Sequence, residues 1–153
     1  MNYTDEEHNR LLDAALLITA KALDGKVDHQ GKPVLVHVLR VSNALSGDEA
    51  IVGMLHDTVE ETAEDSDGKR VTLSDLAGVF PSRIVAAVEA ITHRKHEPRV
   101  EYYKRVADND LARAVKRVDI DDNFKRLLGV VDTGIRERLE RKYTVARQHL
   151  FGG

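Results

Sequence analysis

His56 and Asp57 stand side by side in the stretch GMLHDTVEET, at the end of the apolar run AIVGML, and Glu60 and Glu61 follow them at i+4. Near a helix end an imidazole and a neighbouring carboxylate can both reach one divalent ion in a groove. Carboxylates one turn along the same two faces would then lie beside it as acid-base groups. An unpaired carboxylate is too costly to bury, so Asp57 needs a cation, a basic partner or water. Two further candidates occupy similar settings. His37 lies in GKPVLVHVLRV among apolar residues, and Asp119 lies in AVKRVDIDDN with Asn123 one turn later on its face. Two histidines and two aspartates form a mixed nitrogen and oxygen set suited to Mn, Fe or Zn, with positions open for water and substrate. An ion so held lowers the pKa of water and polarises a phosphoryl oxygen, which is what hydrolysis of a phosphate ester requires. Each residue alone also has a plainer reading. His56-Asp57 can be an incidental dipeptide, His37 a buried imidazole bonded to backbone, and DIDDN a solvated acidic edge.

The elements that must position these groups read as helices. Thr4 with Glu7 fits a capping box for a first helix running to about Asp24, with Leu11, Leu12, Ala15, Leu16 and residues 18–22 at helical spacing. DGKVDHQGKP carries two glycines and a proline and marks a loop. Pro33 suits the first turn of a second helix that contains His37. Ser46 with Glu49 offers a capping box for a third, ending near His56-Asp57. AEDSDGKR is an exposed loop, Thr72 with Asp75 starts a short helix, and Pro81 opens a longer one through Ile91. THRKHEP interrupts the pattern before the helix RVEYYKRVAD. Asn109 or Asp110 caps the next helix, which leads into VDIDDNFKRLL. DTGIRERLERKYTVARQHL is amphipathic, with Ile135, Leu139, Tyr143 and Ala146 on one face, and can close the bundle or pair two subunits. No strand alternation or repeat is present. The expectation is an all-α bundle of seven or eight helices, one domain spanning residues 1–153.

Composition narrows the function. A net charge of -3 with scattered Lys and Arg gives no basic block for nucleic acid. Without cysteine there is no disulfide, zinc-thiolate site or thiol nucleophile. The opening MNYTDEEHNR is unlike a signal peptide, and no apolar run approaches the ~20 residues of a spanning helix. The expectation is a cytoplasmic protein that contacts neither nucleic acid nor membrane.

The order His37, His56-Asp57, Asp119 resembles the H...HD...D signature of the HD-domain metal-dependent phosphohydrolases, an all-helical superfamily. GKPVLVHVLRVSNAL followed by AIVGMLHDTVEET is similar to the (p)ppGpp hydrolase branch, of RelA/SpoT type. That branch has Gly-x-Pro-Tyr-x-x-His-Pro, then Leu-His-Asp-x-Val-Glu-Asp-Thr, and later Leu-Ala-Asp-x-x-x-Asn. The resemblance covers about residues 10–128. It implies an HD helical bundle, His37, His56, Asp57 and Asp119 as ligands of Mn2+ or another divalent ion such as Fe2+, Zn2+ or Co2+, and Glu60 with Glu61 in catalysis. It also implies Asn123 at the nucleoside of a small-molecule nucleotide, in a monomer or homodimer. The implied activity is (p)ppGpp 3'-pyrophosphohydrolysis.

Some positions depart from the branch. Glu61 replaces Asp with a longer arm, and placement on that scale affects turnover. Val34 stands for Tyr, Val38 for Pro, and Arg117-Val118 for Leu-Ala. Asp28 and His29 occupy the place of the Arg-Lys pair that holds guanine and phosphates, and an aspartate neither stacks like a guanidinium nor attracts phosphate. Short stand-alone HD proteins have a similar KVD loop. THRKHEPRVEYYKR supplies Arg94, Lys95, Arg99, Lys104 and Arg105, with Tyr102 and Tyr103 for stacking, and one or two of the cations belong at a cleft mouth. Arg94, Lys95, Tyr103 and Lys116 join Asp28, His29 and Asn123 as candidate substrate contacts. The alternatives are an HD hydrolase of a different nucleotide and a non-catalytic metal-binding regulatory module.

Overall fold

The computed structural model describes residues 4–152; the first three residues of the acidic opening stretch and the last glycine lie outside them. The described chain forms α1 (Asp5–Ala22), α2 (Val34–Asn43), α3 (Gly47–Leu55), α4 (Thr58–Glu61), α5 (Leu73–Ala77), α6 (Ser82–Ile91), α7 (Arg99–Ala107), α8 (Asp110–Arg126) and α9 (Thr133–Phe151). A 3-10 turn spans Leu127–Gly129. Since α4 is a single turn, eight longer helices remain, and the all-α expectation holds. No strand forms among the described residues. A lone antiparallel bridge, Val27 to Pro33, pinches the loop ahead of α2. No described helix is long and apolar enough to cross a membrane.

Local chemistry starts most helices where the sequence places them. Thr72 and Asp75 form a full reciprocal capping box on α5. Thr4 accepts from Glu7 N, Asn109 from Ala112 N and Asp132 from Ile135 N, each satisfying an amide of a first turn. Pro33, Pro81 and Pro98 precede α2, α6 and α7 with no side-chain cap. Ser46 precedes α3 without the side-chain bond expected of it.

The core is organised around α3. Its residues 50–55 are all buried, and it packs against α1, α2, α6 and α8. A short helix enclosed on several sides must be apolar all round, which is why AIVGML shows no amphipathic stripe. Gly53 lets α2 come close. A Cβ there would lie 3.1 Å from Leu45 Cδ1 and 3.4 Å from the Ser42 Cα. Thr19 Oγ1 donates to Met54 O across 3.0 Å and ties α1 to the same helix. The terminal helix α9 lays Leu139, Ala146 and Leu150 against its neighbours and packs on α7 and α8.

The third helix ends where the sequence places it, beside His56-Asp57: it stops at Leu55, and α4 begins at Thr58. Side chains take over carbonyls of the ladder, His56 Nδ1 at Gly53 O (2.6 Å) and Thr58 Oγ1 at Leu55 O (2.8 Å). The i+4 link survives between Asp57 and Glu61, whose amide donates to Asp57 O at 2.9 Å.

Candidate active site

Three parts of the bundle meet at one point. The α2 helix supplies His37, the break between α3 and α4 supplies His56 and Asp57, and α8 supplies Asp119. His37 Nε2 lies 2.9 Å from Asp119 Oδ1 and 3.7 Å from Asp57 Oδ2. His56 Nε2 lies 3.2 Å from the same Asp119 oxygen and 3.3 Å from Asp57 Oδ2. Donors that share one ion at about 2.1 Å stand roughly 3.0–3.4 Å apart. His37, His56 and Asp119, whose donor atoms lie within 4.8 Å of one another, could hold one divalent cation, with Asp57 Oδ2 on their open side at 3.3 Å from His56 and 3.7 Å from His37. His37, His56 and Asp119 are buried, and Asp57 is the most open of the four. Burial alone would lower His56, but Asp57 and Asp119 opposite it prevail and raise it to about 9. His37 is shifted upward likewise, against its own burial, by Asp119 and Asp122.

The ligand-type side chains are themselves held. His56 donates Nδ1–H to Gly53 O, leaving Nε2 facing Asp57 and Asp119. His37 Nδ1 meets Asp122 Oδ2 at 2.6 Å, and Arg40 grips Asp122 through Nε (2.8 Å) and Nη2 (3.0 Å). Such a carboxylate behind an imidazole fixes its tautomer and aim. Asp122 was missed in the sequence because DIDDN reads as a solvated edge, although its i+3 spacing from Asp119 was available. On Asp119, Oδ1 faces both imidazoles and Oδ2 accepts from Lys116 Nζ at 2.9 Å. Lys116 therefore partners a carboxylate of the cluster, and its pKa is raised despite burial, chiefly by Asp119.

Glu60 and Glu61 line the cavity beside Asp57. Both touch water because the cavity is open, yet both are walled by protein. Desolvation first, then Asp57, raises each carboxyl, and Glu60 adds to the effect on Glu61. Glu60 Oε1 accepts from the His93 amide at 3.1 Å, which gives the carboxylate a fixed position.

The cavity holds about 350 Å³. Asp28, His29, Asn123, Tyr103 and Lys116 line it, as do all four candidate metal ligands. The Asp28 carboxylate is already engaged, accepting from Gln30 N (2.8 Å), Lys32 N (3.0 Å) and Arg126 Nη1 (3.1 Å). It braces its own loop and holds a guanidinium of α8 at the cavity wall; Arg126 also bonds Asn123 Oδ1. Arg94 and Lys95 do not line the cavity. Lys95 faces Glu64 at 3.5 Å on the surface, and the segment that carries both is anchored through Glu97 and Arg105. From the same basic stretch it is Arg99 that reaches the wall, joined by Lys142 of α9. Arg126 and Lys142 were not singled out by sequence. Arg126 lies at i+3 from Asn123, whereas nothing local distinguishes Lys142 among the charges of its helix.

No protein-family model matches the chain. It is similar to the structure of a metazoan ortholog of SpoT, described as hydrolysing ppGpp with a role in starvation responses. The TM-score is 0.70 at 22% identity, over 99% of this chain and 89% of that one. The two proteins share one fold. It is the all-helical HD bundle that the motif order implies. A GTP pyrophosphokinase of Myxococcus xanthus is 32% identical over 87 residues. That match spans 54% of this chain and 11% of the relative's length.

Proposed function

We propose that this chain is a metal-dependent phosphohydrolase of the HD type, acting on a nucleotide, with 3'-pyrophosphate removal from (p)ppGpp as its first substrate. The observation that carries this reading is the convergence of two imidazole nitrogens and two carboxylate oxygens, with nitrogen-to-oxygen separations of 2.9–3.7 Å, in a cavity also lined by Glu60 and Glu61. His37, His56, Asp57 and Asp119 would hold the ion, Mn2+ first among the divalent candidates. When bound, such an ion supplies Lewis acidity toward water and phosphate.

The protein's own groups do the rest. The Glu60 carboxylate, fixed by the His93 amide and kept basic by its surroundings, takes the proton of the attacking water. As the new oxygen–phosphorus bond forms, the ester bond to the ribose oxygen breaks, and the proton taken up by Glu60 passes to that oxygen as it leaves. Glu61 stands second in line. Asn123 faces the nucleoside, with Tyr103 and His29 on the surrounding wall. The ppGpp-hydrolysing structural neighbour and the pyrophosphokinase relative support the alarmone as substrate. The pinned Asp28 favours a second reading, hydrolysis of a different nucleotide through the same centre, because the loop position that grips guanine in the resembled branch is engaged internally.

The test is a substrate screen on Mn2+-reconstituted protein with two variants. Asp57→Ala should lose metal and turnover with helicity intact, and retained metal would remove Asp57 from the ligand set. Glu60→Gln should keep the metal and lose turnover by about 10²–10⁴-fold; undiminished turnover would remove it as the base.

A further inference from the structure

A groove of about 900 Å³ lies between α2 and α8. None of His37, His56, Asp57 and Asp119 lines it, although Asp28, Gln30 and Arg126 stand in the wall it shares with the cavity. Its apolar part is Pro33, Val36, Ala44 and Val118, and Val36 remains 43% exposed there. Its charges divide in two. The carboxylates are all engaged, Asp28 by Arg126, Asp121 by Arg147, and Asp122 by Arg40 and His37. The cations are not. Lys32 and Lys125 have no side-chain hydrogen bond or ion pair to any described residue. Arg40, its side chain 48% exposed, uses Nε and Nη2 on Asp122 and leaves Nη1 without a partner among the described residues. Spare positive charge therefore borders exposed aliphatic surface, in a volume of the size that small ligands occupy. The groove also reaches the donor cluster indirectly. Asp122, in its wall, meets His37 Nδ1 at 2.6 Å, and His37 Nε2 lies 2.9 Å from Asp119.

We infer that the groove between α2 and α8 is a separate ligand site, for a small organic anion with an aliphatic body and a phosphate or carboxylate head, and that its occupant tunes the donor cluster. The body covers Val36, Ala44 and Val118, and the head faces Lys32, Lys125 and Arg40 Nη1. An anion seated there draws the Arg40 guanidinium toward itself. Asp122 then loses part of the charge that fixes it, His37 loses part of its support, and the cluster binds a cation less tightly. The ligand shifts this balance because it binds better when Arg40 has turned from Asp122. The ligand site is independent of the hydrolase reading, whereas the effect on metal affinity rests on it.

The test is a calorimetric titration of metal-free protein with hexyl phosphate, hexanoate and the uncharged hexanol. Lys32→Gln/Lys125→Gln is the comparison, since both positions line the groove and neither lines the cavity. At least one of the two anions should bind, and the one that binds assigns the head group. The double variant should weaken that binding by about tenfold, the scale of two exposed charge pairs, and by less as salt rises. Equal binding of hexanol, binding untouched by the double variant, or no binding of either anion overturns the site. The tighter anion should also lower Mn2+ affinity about fivefold in the parent and not in the double variant. An unchanged Mn2+ affinity, or an equal fall in both proteins, overturns the link to the cluster. If no Mn2+ binds at all, the metal reading of the cavity fails, and the link is read from the His37 ring resonances in metal-free protein. The anion should shift them in the parent alone, and unmoved resonances overturn the link.

Discussion

Asp122 does not line the cavity, yet it decides how His37 is aimed. Its carboxylate stands between the imidazole and Arg40, which lowers its own pKa despite burial. Replacing it with asparagine keeps the volume and removes the charge behind the ring. Asp122→Asn should weaken Mn2+ binding by about 10–100-fold, with kcat at saturating metal largely retained. Metal titration checks this, and unchanged affinity would show that His37 needs no such support. At this scale the sequence singled out His37, His56, Asp57, Asp119 and both glutamates, which the structure brings to one cavity, because those residue types in that order already pointed to a metal. It did not identify Asp122, Arg126 or Lys142. Their significance comes from what they face, and the partners of Asp122 and Arg126 in α2 and the 23–33 loop lie far away in the chain.

The elements carry different loads. The α3 helix is enclosed on several sides, so its residues have little room to relax. Ile51 is fully buried, and Ile51→Ala should cost about 2–5 kcal/mol in chemical denaturation. The 92–98 segment is held electrostatically instead. Arg105 hydrogen-bonds Glu97 and also donates to Thr92 O at 2.8 Å. The Arg105 hydrogen bond, helped by the Arg94 amide, holds the Glu97 carboxyl down to about 2, from an ordinary 4.5. A depressed carboxylate contributes stability above its unfolded value and loses it as pH falls through the folded one. Glu97→Gln should therefore melt about 2–4 °C below the parent at pH 7, with the gap closing between pH 4.5 and 2. A gap that stays constant with pH would mean the pair does not hold the segment. Helix identities and most caps were legible, since capping residues and prolines act within a few positions. The end of α3 at His56 was legible too, but the single turn of α4 that follows was not, because it depends on side chains competing for the helix's own carbonyls.

Over the whole molecule, the donor cluster links α2, the α3–α4 break and α8, which are separated by up to 82 residues. An ion bound there would cross-link the native fold and have no equivalent site in the unfolded chain. Mn2+ at about 100 times its Kd should add about 2.7 kcal/mol of stability, a rise in Tm of roughly 5–10 °C that a chelator reverses. A Tm indifferent to Mn2+ would count against a metal at this cluster. By itself the sequence determined the helical class, most helix starts and the candidate site residues, since these follow from periodicity, capping chemistry and residue type. Only the tertiary structure decided that Asp28 braces Arg126 and that Lys95 faces Glu64 outside the cavity. It alone also brought Arg99 of α7 beside Lys142 of α9. Those outcomes depend on which helix faces lie together, and side-chain pairing across helices is settled by packing rather than by any local pattern.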